Sequence, residues 1–206
     1  MNVPRVIKVM LMMGALISSS VWAGQEAARE TVIRVVDSFR TEIIADKAQL
    51  AKNPELLSQR IDKILTPVIN FDDFSKKVMG KYYRRATPDQ RSRFVTVTRD
   101  TLLKTYSGSL LDLDPDKINV LPLGPQRSGD EVKVDVDFKT GDGAPLNLNF
   151  YMEDYGNDDW KLSNVVINNI NFGLTFRKQF AVMMQQNRNN IDSAIDAWEQ
   201  SLKKKS

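Results

Sequence analysis

Apolar residues recur at intervals of three and four through the first half of the chain, then at intervals of two after Gly108. Ala28, Val32, Val35, Val36, Phe39 and Ile43 form one stripe and predict a helix over 25–46. Asn53-Pro54 is a cap followed by proline at the first helical position, and Leu57, Ile61, Ile64 and Val68 supply the next apolar face until Pro67 ends or kinks it. Asn70 caps a short third helix carrying Phe71, Phe74 and Val78, closed near Gly80. Thr87-Pro88-Asp89-Gln90 has the form of a capping box, and it opens a fourth helix from Pro88 to about Tyr106.

Beyond Gly108 the alternation is that of strands. Ile118 to Leu123 is a short β-type run, and Glu131 to Lys139 alternates charged and apolar residues without a break. Gly141-Asp142-Gly143 supplies a loop, and Pro145 opens a second alternating run through Met152. After the loop at Asn157-Asp158-Asp159, residues Trp160, Leu162 and Val165-Val166-Ile167 predict a last long strand. The helical period then returns. Phe172, Phe176, Phe180 and Met183 share a face, and after Asn189-Asn190 a final stripe carries Ile191, Ile195, Trp198 and Leu202. This order predicts an α+β domain in which helices lie on one face of a four-strand antiparallel sheet.

The first 23 residues stand apart from this plan. A short segment with Arg5 and Lys8 precedes an uncharged apolar run from Val9 to Ile17, and Val21-Trp22-Ala23 follows. That order predicts a secretory signal peptide over 1–23, cut after Ala23, with a single domain over 24–206. The apolar run is shorter than the ~20 residues needed to span a bilayer. Without the leader, 27 basic residues face 26 acidic ones, so the net charge of +3 falls to +1 and carries no nucleic-acid signature. The chain contains neither His nor Cys. Disulfides, structural zinc sites and Ser-His-Asp or Cys-His catalysis are thereby excluded, and only carboxylate-based chemistry stays open.

No local segment supplies that chemistry. Asp112 to Asp116 begins like a calcium loop but has Lys117 and Leu123 where the loop needs Gly and Glu. Asp135 and Asp137 share a strand face with Lys133 and Lys139, as a charge-balanced solvated surface would. From Lys76 to Arg93 seven basic residues meet one acid, Asp89, and Tyr82 and Tyr83 sit among them. This is either a solvated helix face or a patch for anionic headgroups or an acidic partner. Val132, Val134, Val136, Phe138, Leu146, Leu148, Phe150 and Met152 fall on one sheet face. Composition alone does not separate a filled core from a ligand cavity there.

Particular segments add to this reading. Phe71–Arg84 (FDDFSKKVMGKYYR), Ala86–Arg91 with Phe94, Leu102–Tyr106 (LLKTY), Trp160–Asn171 (WKLSNVVINNIN) and Phe176–Phe180 (FRKQF) resemble the signature blocks of one family. It is the MlaC-like family of periplasmic phospholipid-binding proteins, named for toluene tolerance and outer-membrane lipid asymmetry. The resemblance spans about residues 26–202. Tyr83 stands where the family commonly has Trp, and Asn169 where it has Gly.

The resemblance implies a nuclear-transport-factor-like α+β fold in which sheet and helices enclose an apolar cavity for acyl chains. It implies a monomeric periplasmic carrier, not an enzyme, with no cofactor and no nucleic-acid partner. Its partners would be phospholipid, an inner-membrane ABC lipid transporter and an outer-membrane lipoprotein complex. The headgroup would stay at the cavity mouth with little specific recognition. Phe74, Val78, Leu102, Tyr106, Val134, Val136, Phe138, Leu146, Leu148, Phe150, Val166, Phe172, Phe176 and Phe180 would contact lipid. Lys77, Lys81, Arg84 and Arg85 would face membrane or partner. Two other readings remain: a small isomerase-like enzyme using Asp or Glu with Tyr in an apolar pocket, which needs an inward-facing acid, and a protein-only adaptor with a filled core. The leader predicts a mature protein beginning at Gly24 in the soluble periplasmic fraction. N-terminal sequencing checks this, and recovery in membranes with residues 1–23 intact would overturn it.

Overall fold

A computed structural model describes residues 15–111, 114–126, 131–139 and 145–203. Most of the leader, the Gly141–Gly143 loop and the last lysines lie outside the described residues. Among those described, seven α-helices frame one sheet: α1 (Ala15–Phe39), α2 (Lys47–Leu50), α3 (Pro54–Leu65), α4 (Phe71–Met79), α5 (Pro88–Leu110), α6 (Phe172–Gln186) and α7 (Ile191–Lys203). The strands are β1 (Ile118–Val120), β2 (Glu131–Lys139), β3 (Pro145–Asp154), β4 (Trp160–Ile167) and β5 (Ile170–Asn171), antiparallel throughout in the order β1-β2-β3-β4-β5.

Local chemistry sets most helix boundaries. The Asn53 side chain accepts from the Leu56 N–H at 3.1 Å, and Asn70 and Asn171 cap α4 and α6 in the same way. The box at α5 is reciprocal: the Thr87 hydroxyl accepts from Gln90 N–H at 3.2 Å while the Gln90 side chain accepts from Thr87 N–H at 3.0 Å. Gly80 ends α4 at φ +55°, and the guanidinium of Arg177 occupies the space that a side chain there would need.

Two expectations are corrected. The single helix over 25–46 is α1 followed by one π-helical stretch, Arg40–Ile44, in which Ile43 is buried as the stripe predicts, and the short α2 beyond it buries Leu50. The sheet has five strands, not four. Asn168 and Asn169 both take positive φ, 46° and 65°, and turn the chain into the two-residue β5. Asparagine tolerates that left-handed conformation, so Asn169 serves where glycine would be expected.

Packing is divided among three clusters. Phe94, Phe180 and Trp198 are fully buried among α4–α7, with ring centroids 4.8 Å apart for Phe94–Phe180 and 5.7 Å for Phe94–Trp198. The Trp198 indole donates to the buried Thr98 hydroxyl at 3.0 Å. A second cluster joins Ala28 and Val32 of α1 to Val132, Val134, Val136, Met152 and Trp160 of the sheet. The third gathers Ile43, Leu50, Leu57, Ile61, Ile64 and Leu111.

Outside these clusters the sheet's solvent face is paired: Lys133 meets Asp135 at 2.9 Å and Asn149 donates to Asp135 at 2.6 Å. On α3, partial burial opposes ionisation of Asp62, but hydrogen bonds from Arg99 and Thr66 outweigh it and hold its pKa below the usual carboxylate value. If the aromatic cluster holds the helices, Phe94→Ala should lower stability by ~3–5 kcal/mol in urea unfolding, the usual range for emptying a buried aromatic site. A loss under ~1 kcal/mol would show that α5–α7 are held by something else.

Candidate functional site

Between the three clusters the interior is not filled. Two apolar chambers of about 280 and 250 Å³ lie side by side. The first is bounded by α3, α4, α5, β4 and the start of α6, with Phe71, Phe74, Leu102, Leu103, Val165, Ile167, Phe172 and Phe176 in its wall. The second lies between α1, α3 and the inner sheet face, with Val35, Val36, Phe39, Val136, Leu148, Phe150 and Met152. Ile61, Leu65, Ile69, Leu110 and Leu162 border both. The polar contributions are few: Ser107, Ser163, Asn164 and Thr31. Among the described residues no charged side chain lines either chamber.

The dividing wall is tied in place by backbone pairing. Ile69 forms a parallel bridge with Leu162, whose N–H donates to the Val68 carbonyl at 2.7 Å, and Lys161 Nζ donates to the Pro67 carbonyl at 2.7 Å. The short link between α3 and α4 is thus pinned across β4. It can carry Ile69 into the cavity because its carbonyls find donors on the strand.

A bulge decides which β4 residues face inward. Tyr151 pairs with Asn164 but Met152 pairs with Leu162, so Ser163 is the extra residue. Its hydroxyl is held between Glu131 Oε1 at 2.6 Å and the Tyr151 carbonyl at 3.1 Å. Leu162 therefore faces the helices before the bulge, and Val165 and Ile167 do so after it.

The structure brings some of the expected contact residues together and separates others. Phe74, Leu102, Phe172 and Phe176 line the first chamber, and Val136, Leu148 and Phe150 the second. Val166 is paired with Asn149 on the outer face, because the bulge reverses the alternation that placed it inside. Val78 and Phe180 are buried in the aromatic cluster, and Val134 in the cluster beneath α1. Phe138 and Leu146 pair across β2 and β3 without reaching either chamber. The side chain of Tyr106 lies outside the described residues. Ile61, Leu65, Ile69, Leu103 and Leu110 were missed. Ile61 was on a recognised apolar stripe, but the period alone does not say whether such a stripe meets a partner or a void.

The basic stretch divides as well. Lys77 is held by Asp73 at 2.8 Å and Glu153 at 2.9 Å. Partial burial opposes its charge, yet these hydrogen bonds hold its pKa above the ordinary lysine value. Nearby, burial and Asp73 push the Tyr155 phenol up to about 12. Arg93 pairs with Asp196 and Asp192, and Arg91 lies over the Tyr83 ring at 4.3 Å. Lys81 lies 5.1 Å from the Tyr82 ring centroid. Lys76, Arg84 and Arg85 are exposed and, like Lys81, make no ion pair among the described residues.

Comparison with known proteins bears on this architecture. The family model described as MlaC protein matches residues 34–200. Toluene tolerance protein ttg2D of Pseudomonas putida is 36% identical over 178 residues, covering 83% of this chain and 81% of that protein. The intermembrane phospholipid transport system binding protein MlaC of Haemophilus influenzae is 21% identical over 170 residues, covering 82% and 78%. Among solved structures, a phospholipid-binding protein from Ralstonia solanacearum, in complex with a phospholipid, shares the fold. Its TM-score is 0.73 at 22% identity, over 85% of this chain and 98% of that one. With the signature blocks and the family match spanning both the helical half and the sheet, the chain belongs to the MlaC protein family.

Proposed function

We propose that this protein is a soluble periplasmic carrier that holds phospholipid acyl chains in its two chambers. It would move lipid between complexes of the inner and outer membranes, with ATP used by the inner-membrane partner. The observation that carries this reading is the pair of adjoining, charge-free apolar chambers in a chain of the MlaC family. Each is near the lower limit of ~300–1,000 Å³ for ligand cavities, and together they fall within it. The names of the Haemophilus relative and the Ralstonia neighbour support phospholipid as the ligand.

The energetics favour such a carrier. Two acyl chains with ~30 methylenes in all cost about 24 kcal/mol to expose to water, at ~0.8 kcal/mol per methylene. Transfer from a bilayer into apolar chambers replaces one hydrocarbon environment by another and is close to neutral. The carrier lowers the barrier to crossing the aqueous gap and supplies no drive of its own. Isomerase-like chemistry lacks support, since no Asp or Glu among the described residues enters the wall of either chamber.

Leu148 separates a carrier from a filled core. It lies between Val136 and Ile167 and lines the second chamber. Leu148→Asp places a carboxylate where water enters once acyl chains are gone. The variant should keep its circular dichroism spectrum, lose copurifying phospholipid in native mass spectrometry and fail to transfer lipid between vesicles. Val136→Trp, which fills the same chamber with apolar atoms, should lose lipid too. A melted Leu148→Asp protein alongside a Val136→Trp protein with full lipid content would overturn the carrier reading.

The exposed cations give a second test. Lys81, Arg84 and Arg85 together should account for most of the salt dependence of transfer to anionic vesicles, because screening shortens to ~8 Å at physiological ionic strength. Neutralising all three should flatten the salt profile and leave bound lipid unchanged. Lys77 is left out because its charge is already matched by two carboxylates. An unaltered salt profile would return these residues to a solvated face.

A further inference from the structure

Beside the first chamber lies a pocket of different character, about 340 Å³ in volume. The two share Phe74, Ser163, Asn164 and Gly173 in their walls, so this pocket adjoins the chamber. Its wall also carries Lys77, Glu131 and Arg177. The Lys77 ammonium is committed to Asp73 and Glu153. The other two charges are not committed. Arg177 is exposed and has no ion-pair partner among the described residues, and its guanidinium occupies the space that a side chain at Gly80 would need. Glu131 opens β2 and has no cation partner among the described residues; its Oε1 accepts only the Ser163 hydroxyl.

A free guanidinium and a free carboxylate thus border one pocket without pairing with each other. That is a charge pattern complementary to a zwitterion. Where the resemblance implies little specific recognition of the headgroup, we propose instead that this pocket takes the headgroup of an amine-bearing zwitterionic phospholipid, with Arg177 on the phosphodiester and Glu131 on the primary ammonium. The proposal rests on the reading of the chambers as acyl-chain sites. Guanidinium is the cation whose planar fork matches phosphate oxygens. An ammonium with N–H donors can hydrogen-bond a carboxylate, whereas a glycerol headgroup offers Glu131 no cation and adds a net negative charge beside it. Glu131 accepts from Ser163 at the bulge, so the same irregularity that aims Val165 and Ile167 into the chamber also orients the carboxylate in the adjoining pocket.

The test measures displacement of a fluorescent fatty acid from the delipidated mature chain by dioleoyl-phosphatidylethanolamine, dioleoyl-phosphatidylglycerol and dioleoylglycerol, which share acyl chains. The wild-type chain should favour the ethanolamine lipid over the glycerol lipid. Glu131→Gln should erase that preference. Arg177→Gln should weaken both phospholipids about three- to five-fold, the scale of an exposed charge pair, and leave dioleoylglycerol unchanged. Equal affinity of the wild type for all three lipids would sink the headgroup site while leaving the carrier reading intact. Failure of all three to bind would sink the carrier reading itself. An equal loss of dioleoylglycerol binding in Arg177→Gln would make that residue structural. Phosphoethanolamine or inorganic phosphate binding as strongly as whole lipid would assign the charges to a soluble anion and overturn the proposal.

Discussion

The buried contact between Trp198 and Thr98, wrapped by Phe94, Phe176 and Phe180, lets the rest of this molecule be hollow. An apolar sheet face must be covered, and in a filled α+β domain the covering helices contribute their largest side chains to that interface. Here α5, α6 and α7 turn their largest aromatic groups toward one another. Stability is concentrated in an aromatic cluster among α4–α7 and in two smaller clusters, one between α1 and the sheet and one joining Ile43, α2, α3 and Leu111. The space between them needs no side chain to hold it open, because every wall is anchored elsewhere.

The wall between the chambers shows the same logic at the level of the backbone. Ile69 sits in a connection, a place where chain normally runs over the surface because its polar groups need partners. Val68 and Pro67 find those partners on β4, so an apolar side chain can be presented from a loop in the middle of the interior. Beside it, the extra residue at Ser163 re-aims the second half of β4. One strand thereby serves the dividing wall through Leu162, the first chamber through Val165 and Ile167, and the adjoining polar pocket through Asn164.

Charge follows position in a similar way. Among the described residues the chamber walls carry none, Lys133 pairs with Asp135 on the outer sheet face while Glu131 there has no cation partner, and the basic stretch from Lys76 to Arg93 splits into cations held by carboxylates or rings and cations left free. Residues alike in sequence have different roles for that reason. Lys77 and Arg93 hold elements together through ion pairs, while Arg84 and Arg85 point to solvent.

By itself the sequence determined the longer helices and the strands β1 to β4, because periods of 3.6 and 2 and caps such as Asn53, Asn70 and Thr87 act within a few residues of chain. It also determined the inner face of β2 and β3, where alternation runs unbroken from Val132 to Phe138 and from Leu146 to Met152. Membership of the family was legible from contiguous blocks. The tertiary structure alone decided which apolar residues fill space and which border it. Phe176 and Phe180 are one helical turn apart on the same stripe, yet Phe176 borders the first chamber and Phe180 is sealed against Phe94, since only the approach of α5 and α7 distinguishes their surroundings. The fate of Val166 turned on one unpaired residue in β4, a register event set by the neighbouring strand. The pocket that joins Glu131 to Arg177 has no sequence signal, because its two charges come from a strand and a helix that meet only when the sheet and α6 fold together.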